Sequence, residues 1–422
     1  MICFIGVYVF FNRKKSSYVP RKFNTKRELH FLKYLLLPIN KDLMQERNLQ
    51  RIALSTYFLL SGVCFSSWAS RIPTIKDKFG FNEQELGNML MIMPISAIVG
   101  IPLSGWLISK YDSRIPQQFA YIFYFISLFL IGFSNSLLLL IFSLFLFALC
   151  LRIINITINT QSISVQEKFE KPIVGSFHGL WSIGGVVGVL FTTLMLALKI
   201  SVEIHFLMVS LFSLVSVFIA YPYLIKKDKS TNSNKFKLGK PNRYIMLLGL
   251  MLFFAAICEG GVYDWNGVYF KDVIKVEVFT YGYLLFMICM SVSRFIIDKL
   301  MERFGVKKLY FLSAILIMCG MTVVVVFPFF WIALIGFCLT GFGVASLFPI
   351  TFMMAGKAKK YATGIVIAII GTYATVGMFL GPPMVGYLAE YFGLQRAFII
   401  FIIGGFMYIP LTMAVFKHLK ER

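Results

Sequence analysis

The chain has 422 residues, of which 58% are hydrophobic and only 14% charged. A water-soluble protein of this length needs far more charge on its surface, so lipid must be the solvent for most of it. The formal charge of +22 raises a nucleic-acid partner, but the basic residues punctuate the apolar runs instead of forming one stripe, which excludes that reading.

Residues 1–11 are apolar but too short to span a bilayer. A basic stretch follows, with Arg13, Lys14, Lys15, Arg21, Lys22, Lys26 and Arg27. Met44 stands shortly before the first full apolar run. Residues 1–51 are therefore read as a basic tail, with two accounts open: a start-site artefact, translation beginning at or near Met44, or a tail lying on anionic lipid. Intact mass of protein made from the native gene decides this, and a chain beginning at Met44 is the expected result.

Twelve apolar segments long enough to cross a bilayer follow at 52–70, 86–108, 117–134, 137–160, 173–198, 204–225, 244–268, 279–300, 308–327, 329–353, 363–388 and 395–416. They are continuous runs, which excludes the alternating strands of a membrane barrel. Asn82 and Glu85 have capping-box spacing before the second segment. The linker 226–243, rich in Lys, Asn and Ser, separates an N-terminal half (52–225) from a C-terminal half (244–417), and 418–422 form a short tail. Most of the 41 basic residues fall on the side of the termini. The opposite loops hold Arg71, Lys76, Lys78, Lys199, Lys271, Lys275 and Arg396. Both termini are therefore expected in the cytoplasm.

The seven cysteines form no C-x-x-C pair and read as small core hydrophobes. No P-loop, H-E-x-x-H or G-x-S-x-G motif is present, so an enzyme is not expected, nor a cofactor or metal.

The halves repeat at a constant spacing. Lys110, Tyr111 and Arg114 after the second segment correspond to Arg303, Phe304 and Lys307 after the eighth. Gly184 and Gly188 in the fifth correspond to Gly377 and Gly381 in the eleventh, at the same offset. Two matches at one offset indicate duplicated halves, the plan of a transporter with a central site.

With these motifs the chain resembles the major facilitator superfamily, which places a basic loop, G-x-L-a-D-r-x-G-r-r, after helices two and eight. The second copy matches well, with Glu302 at the acidic position, Arg303, and Gly305 at the glycine. The first departs, with Ser109 for the acid and Asp112 for the glycine. Trp68 to Pro73, Ser176 to Ser182 and Gly381-Pro382-Pro383 look like the fucose-permease-like branch and its uncharacterised bacterial relatives. The resemblance implies an all-α fold of two pseudo-symmetric six-helix bundles in the inner membrane, a monomer, and uptake or export of a small solute, often a sugar and often with protons. That branch's coupling carboxylates have no counterpart here: Asn155 stands where one falls, and residues 66–70 contain none.

Ionisable groups within a bilayer are functional candidates by default. Glu259 in the seventh segment, expected in the outer third, is the leading proton-binding group, and Asp264 lies closer to the outer interface. Arg152 in the fourth segment and Arg294 in the eighth are gate candidates. Arg294 and Asp298 share a helical face near the inner end, beside the loop motif, and read as a latch. Asn155, Asn159 and Gln161 offer amides either to a solute cavity or to neighbouring helices as interhelical glue, His178 is either a titratable ring or a satisfied bundle residue, and Trp181 offers a stacking surface for a sugar. Trp68 and Trp265 read as interface anchors, Gly184, Gly188, Gly377 and Gly381 as close-packing positions, and Gly381-Pro382-Pro383 as a bend in helix eleven. The expected function is alternating-access transport of a sugar-like solute, with proton coupling left open. The competing readings are proton-driven export of amphipathic compounds and a solute sensor that moves nothing.

Overall fold

The computed structural model describes residues 41–170, 173–226, 228, 242–356, 358 and 363–420. The tail before residue 41, most of the linker and residues 421–422 lie outside the described residues. Residues 1–48 and 49–422 form separate units; Met44 falls in the first turns of α1, and everything below concerns the second unit.

Among the described residues, regular structure is helical throughout. In order the helices are α1 (Lys41–Ser70), α2 (Ile72–Phe79), α3 (Glu83–Leu90), α4 (Ile92–Lys110), α5 (Arg114–Phe133), α6 (Leu137–Gln166), α7 (Val174–Ala197), α8 (Val202–Ala220), α9 (Arg243–Val268), α10 (Tyr281–Phe304), α11 (Val306–Val326), α12 (Phe330–Val344), α13 (Leu347–Ala355), α14 (Thr363–Phe392), α15 (Leu394–Ala397) and α16 (Ile399–Lys420). Lipid leaves backbone polar groups no partner but one another, so each crossing is a helix. Among the described residues eleven spans are long and apolar enough to cross, and a shorter apolar helix at Tyr281–Ile297 makes the twelfth.

Side chains and glycines set the helix ends. Asn82 accepts from the Glu85 N–H while Glu85 accepts from the Asn82 N–H, so the expected capping box forms. Ser136, Ser201 and Asn242 cap α6, α8 and α9 in the same sense. Gly305 has φ +75°, which the motif glycine permits at little cost. Among the described residues Asp112, at the matching position of the first copy, is not among those with positive φ, so that loop does not need a glycine.

Two of the expected crossings are broken. Segment 86–108 is α3 plus α4, interrupted at Met91, three residues before Pro94. Segment 329–353 is α12 plus α13, interrupted at Ala345 and Ser346 before Pro349. In each case proline removes a donor and crowds the preceding turn. By contrast α14 runs without a break through Pro382 and Pro383.

Glycines bring repeat-related helices together. A side chain on Gly184 would run into the Leu59 carbonyl of α1, and one on Gly188 would stand 2.6 Å from the Val63 carbonyl. In the second half Gly377 meets the Phe253 carbonyl of α9 and lies beside Ala256. So α7 closes on α1 as α14 closes on α9, while Gly381 has looser contact, 3.8 Å from Ile257 Cα. The halves meet where α7 runs beside α10 and where α14 crosses α3 and α4.

Trp68 and Trp265 are fully buried, which corrects their reading as interface anchors. Their indoles fill the bundle interior, Trp68 lying 6.2 Å from the Phe147 ring.

Gly184→Leu forces backbone apart at α1 and is expected to cost about 1–3 kcal/mol of stability. Gly105→Ala, with no neighbour within 4 Å, is expected to change little. Thermal unfolding of the two purified variants in detergent checks both.

Candidate functional site: a charge pair between the halves

The centre of the molecule holds a carboxylate, a guanidinium and a hydroxyl from three helices. Glu259 lies sixteen residues along α9, about 24 Å from its start, within a span of 31 residues. Arg294 lies on α10, about 20 Å from the opposite end. Arg294 Nη2 donates to Glu259 Oε1 at 3.0 Å. Arg294 Nη1 reaches Ser182 Oγ on α7 at 3.3 Å, so the guanidinium touches both halves. The Tyr263 hydroxyl donates to the same carboxylate oxygen at 2.8 Å and lies 3.4 Å from Met290 Sδ. Glu259 Oε2 is buried and has no hydrogen-bond partner.

This geometry corrects two expected placements. Glu259 and Arg294 were assigned to opposite thirds of the membrane, but they bond to each other at mid-span. The helices are longer than their apolar cores, and counting from core ends misjudged depth. Arg294 is thus engaged toward α9; the side chain of Asp298 lies outside the described residues.

An aromatic wall surrounds the pair. Tyr263 packs edge-on against Phe65 at 5.7 Å, and Phe65 lies 6.1 Å from Trp181. His178 is exposed and edge-on to Phe58 at 5.4 Å. Asp264 is half-buried one residue beyond Tyr263, with no ion pair or hydrogen bond among the described residues. Arg152 Nε is buried and unpartnered, and the side chain packs on Gly100 of α4. Asn155 and Asn159 are half-buried, and Asn159 donates to the Asn155 carbonyl at 2.6 Å.

Gln161 holds a different post from the one its sequence suggested. It is fully buried, and its amide donates to Ser113 Oγ at 2.7 Å, the Ile225 carbonyl at 3.1 Å and Asp228 at 2.8 Å. Asp228 also accepts from the Ser113 N–H at 2.9 Å, placing an anion at the start of α5. The beginning of the linker is thereby fastened to the turn after α4. The loop-motif cations stay within their own halves: Lys110 lies over Trp106 at 5.0 Å, Arg114 over Tyr221 at 5.5 Å, and Arg303 over Phe304 at 5.4 Å. Glu302 is exposed and makes no ion pair among the described residues.

Sequence reasoning missed the charges at the end of the bundle away from the termini, here called the distal end. Lys76 on α2 donates to Asp272 at 2.6 Å and to Glu83 at 2.8 Å. Lys271 pairs with Asp77, and Thr193 meets Thr280 at 2.7 Å. Pro73 seats on Gly267, and Gly87 and Gly386 meet where α3 crosses α14. Arg71 bonds His205 and the Ile200 carbonyl within the first half; burial pushes its pKa down to about 10, so it stays charged at neutral pH. The signal was available, since two Lys-Asp dipeptides stand at repeat-related turns, but a charged loop residue reads as solvated by default.

The model of the Major Facilitator Superfamily matches residues 1–170, 54–286 and 252–421. The chain belongs to the Major Facilitator Superfamily. It is a multi-pass membrane transporter and not an enzyme. It is 28% identical to the uncharacterised transporter y4wD of Sinorhizobium fredii, covering 85% of this chain and 95% of that one. It is 26% identical to the membrane protein MosC of Rhizobium meliloti, covering 84% and 87%. Among solved structures it shares its fold with a mutant of the nucleoside transporter NupG, at TM-score 0.71, 15% identity, and 86% and 100% coverage. It is equally similar to a bacterial homologue of the human lysosomal transporter Spinster, inward-facing and occupied, at TM-score 0.71, 12% identity, and 88% and 97% coverage. In this superfamily member, twelve helices form two pseudo-symmetric bundles around the charge pair.

Arg294→Gln leaves the Glu259 carboxylate buried without its cation and is expected to cost about 3 kcal/mol. Adding Glu259→Gln removes the orphan charge and is expected to restore most of that loss. Thermal unfolding of the single and double variants tests the pair; equal instability in both would show that it does not stabilise the fold.

Proposed function

We propose that this transporter moves a small, sugar-like solute across the bacterial inner membrane by alternating access, with Glu259 exchanging a proton during the cycle. The observation that carries the reading is the Glu259–Arg294 pair, whose guanidinium also bonds Ser182 of the other half. A hydroxyl-rich solute both donates and accepts, and this centre offers a carboxylate, a guanidinium and hydroxyls together. Trp181 and Phe65 supply flat apolar faces for a sugar ring, and Asn155 and Asn159 supply further amides on α6. Protonating Glu259 removes the charge that holds Arg294, which frees the guanidinium to follow the solute or Ser182. Asp264, the other intramembrane carboxylate of α9, is the second candidate for the proton.

The excess of basic residues on the side of the termini supports cytoplasmic termini, so the distal end faces outward. The two halves, 52–225 and 244–417, are the bodies that rock, and a monomer suffices for that motion. On this reading the distal contacts close the outer end, and the present conformation is inward-facing.

Thermal unfolding against sugars, sugar acids and amphipathic cations identifies the ligand, which raises the Tm by mass action. A sugar is expected to act, and stabilisation by amphipathic cations alone would favour the exporter. In reconstituted vesicles a pH gradient is expected to drive accumulation of that solute. Glu259→Gln is expected to abolish gradient-driven accumulation while keeping solute exchange. Accumulation that survives in the variant removes Glu259 from the coupling step.

A further inference from the structure

The distal charges form a closed pattern. The short helix α2, after the first crossing, carries Lys76 and Asp77, and the π turn at Tyr269–Val273 that follows α9 carries Lys271 and Asp272. Each lysine meets the aspartate of the opposite half: Lys76 with Asp272, and Lys271 with Asp77. These segments occupy corresponding places in the two repeats, so the exchange is reciprocal. The two pairs differ in burial. Lys76 and Asp272 are 12% and 30% exposed, whereas Asp77 is 58% exposed, so solvent screens the second pair more.

Lys76 has a second carboxylate. Glu83, in its own half, accepts from the same ammonium at 2.8 Å. The Glu83 carbonyl also lies against Gly386 of α14, so this acid sits where the halves touch. Lys78 is occupied separately by Glu203 and the Gly132 carbonyl, within the first half. Burial by itself would lower the pKa of Lys76, but bonds and attraction from Asp272 and Glu83 outweigh it and hold the pKa above the ordinary 10.5. A raised lysine pKa contributes stability that is complete below the ordinary value and is lost only as pH climbs past the raised one. Lys76 is therefore charged throughout the physiological range.

We infer that Lys76, Asp77, Lys271 and Asp272 are the distal gate of the transport cycle, and that Lys76 holds both Asp272 and Glu83 when the gate is shut and keeps Glu83 alone when it is open. The second carboxylate matters because opening a gate built on a simple pair leaves a lysine and an aspartate both unpartnered at a half-buried seam. With Glu83 as a resting partner, Lys76 never loses its carboxylate, and the groups to be rehydrated are the less buried ones, Asp272, Lys271 and Asp77. The gate holds the closed form without making the open form prohibitive. The inference rests on the alternating-access reading and adds which residues control its outer face.

The test is labelling of a Ser66→Cys reporter in the full chain with the other cysteines replaced. Ser66 is fully buried in the present conformation, beside Gly185 of α7. A membrane-impermeant maleimide is applied to right-side-out and inside-out vesicles separately, which removes any dependence on assumed orientation. Asp272→Asn is expected to raise labelling from the distal side about fivefold, the size of effect a half-buried pair supports. Glu83→Gln is expected to leave it unchanged or lower it, because Lys76 then depends on Asp272 alone. Asp77→Lys is expected to raise labelling, and combining it with Lys271→Asp to return it toward the parent level. No rise with Asp272→Asn, or an equal rise with Glu83→Gln, overturns the assignment. Solute flux is measured in the same vesicles. A parent that transports while its gate variants label as it does refutes only the gate, whereas a parent that moves none of the sugars, sugar acids or amphipathic cations refutes the transport reading itself.

Discussion

A carboxylate and a guanidinium removed from water each lose several kcal/mol of hydration, and a bilayer gives neither a substitute partner. Everything at the centre of this protein follows from keeping Glu259 and Arg294 together under that constraint. The two side chains come from neighbouring helices of one half, so their distance is set by helix packing. Tyr263 adds a hydroxyl from the next turn of α9. The remaining demand is met from outside: Arg294 reaches across to Ser182, so the first half solvates the charge of the second. A mid-membrane charge pair is thus also a joint between two bodies, which is where a transporter needs one.

Such a joint works only if each half keeps its own geometry. Leu, Phe and Val are as much at home in lipid as against another helix, so close fit has to supply the cohesion. Glycine supplies it at repeat-related places, Gly184 and Gly188 against α1, and Gly377 against α9. The helices that bear Ser182 and Glu259, α7 and α9, are each held in this way. The seam between halves uses other contacts, α7 beside α10 and α14 across α3, with Gly179 near Phe295 and Gly87 near Gly386. Tight packing inside a half and small-residue crossings between halves allow one to move against the other.

Much of the fold was legible because lipid imposes a single solution on an apolar run of about 20 residues. Twelve crossings, the repeat and the Asn82 capping box could be read directly. The breaks at Met91 and Ser346 could not be placed, since Pro94 and Pro349 signal either a kink or an interruption, and tertiary packing chooses. The site was legible in membership but not in partnership. Glu259, Arg294 and Trp181 stand out by type, yet the bond between Glu259 and Arg294 joins residues 35 apart, and helical spacing pointed to Asp298 instead. Gln161 failed for a similar reason. Its polar stripe fits a cavity, but the residue that captures it, Asp228, lies in the linker. The two tryptophans show the limit of position alone: at the end of a span they suggest a membrane interface, and packing buries both.

The central pair and the distal latch are not independent, because α9 carries Glu259 and the π turn that continues it carries Asp272. Glu259 and Asp272 lie thirteen residues apart, about 20 Å along nearly continuous helix. A helix transmits displacement along its axis with little loss, so whatever moves Glu259 away from Arg294 also moves the seat of Asp272. The one irregularity between them is the π turn at Tyr269–Val273, which rotates Lys271 and Asp272 toward α2. Such turns mark points where a helix has traded regularity for side-chain placement. Tyr269 anchors the turn by donating to the Val324 carbonyl at 2.7 Å, so it is braced within its own half. Mid-membrane charge and distal charge are then read out by one rigid element. In the proposed cycle, a proton on Glu259 loosens the joint at the centre, and the same helix carries that release to the pair that keeps the distal end shut.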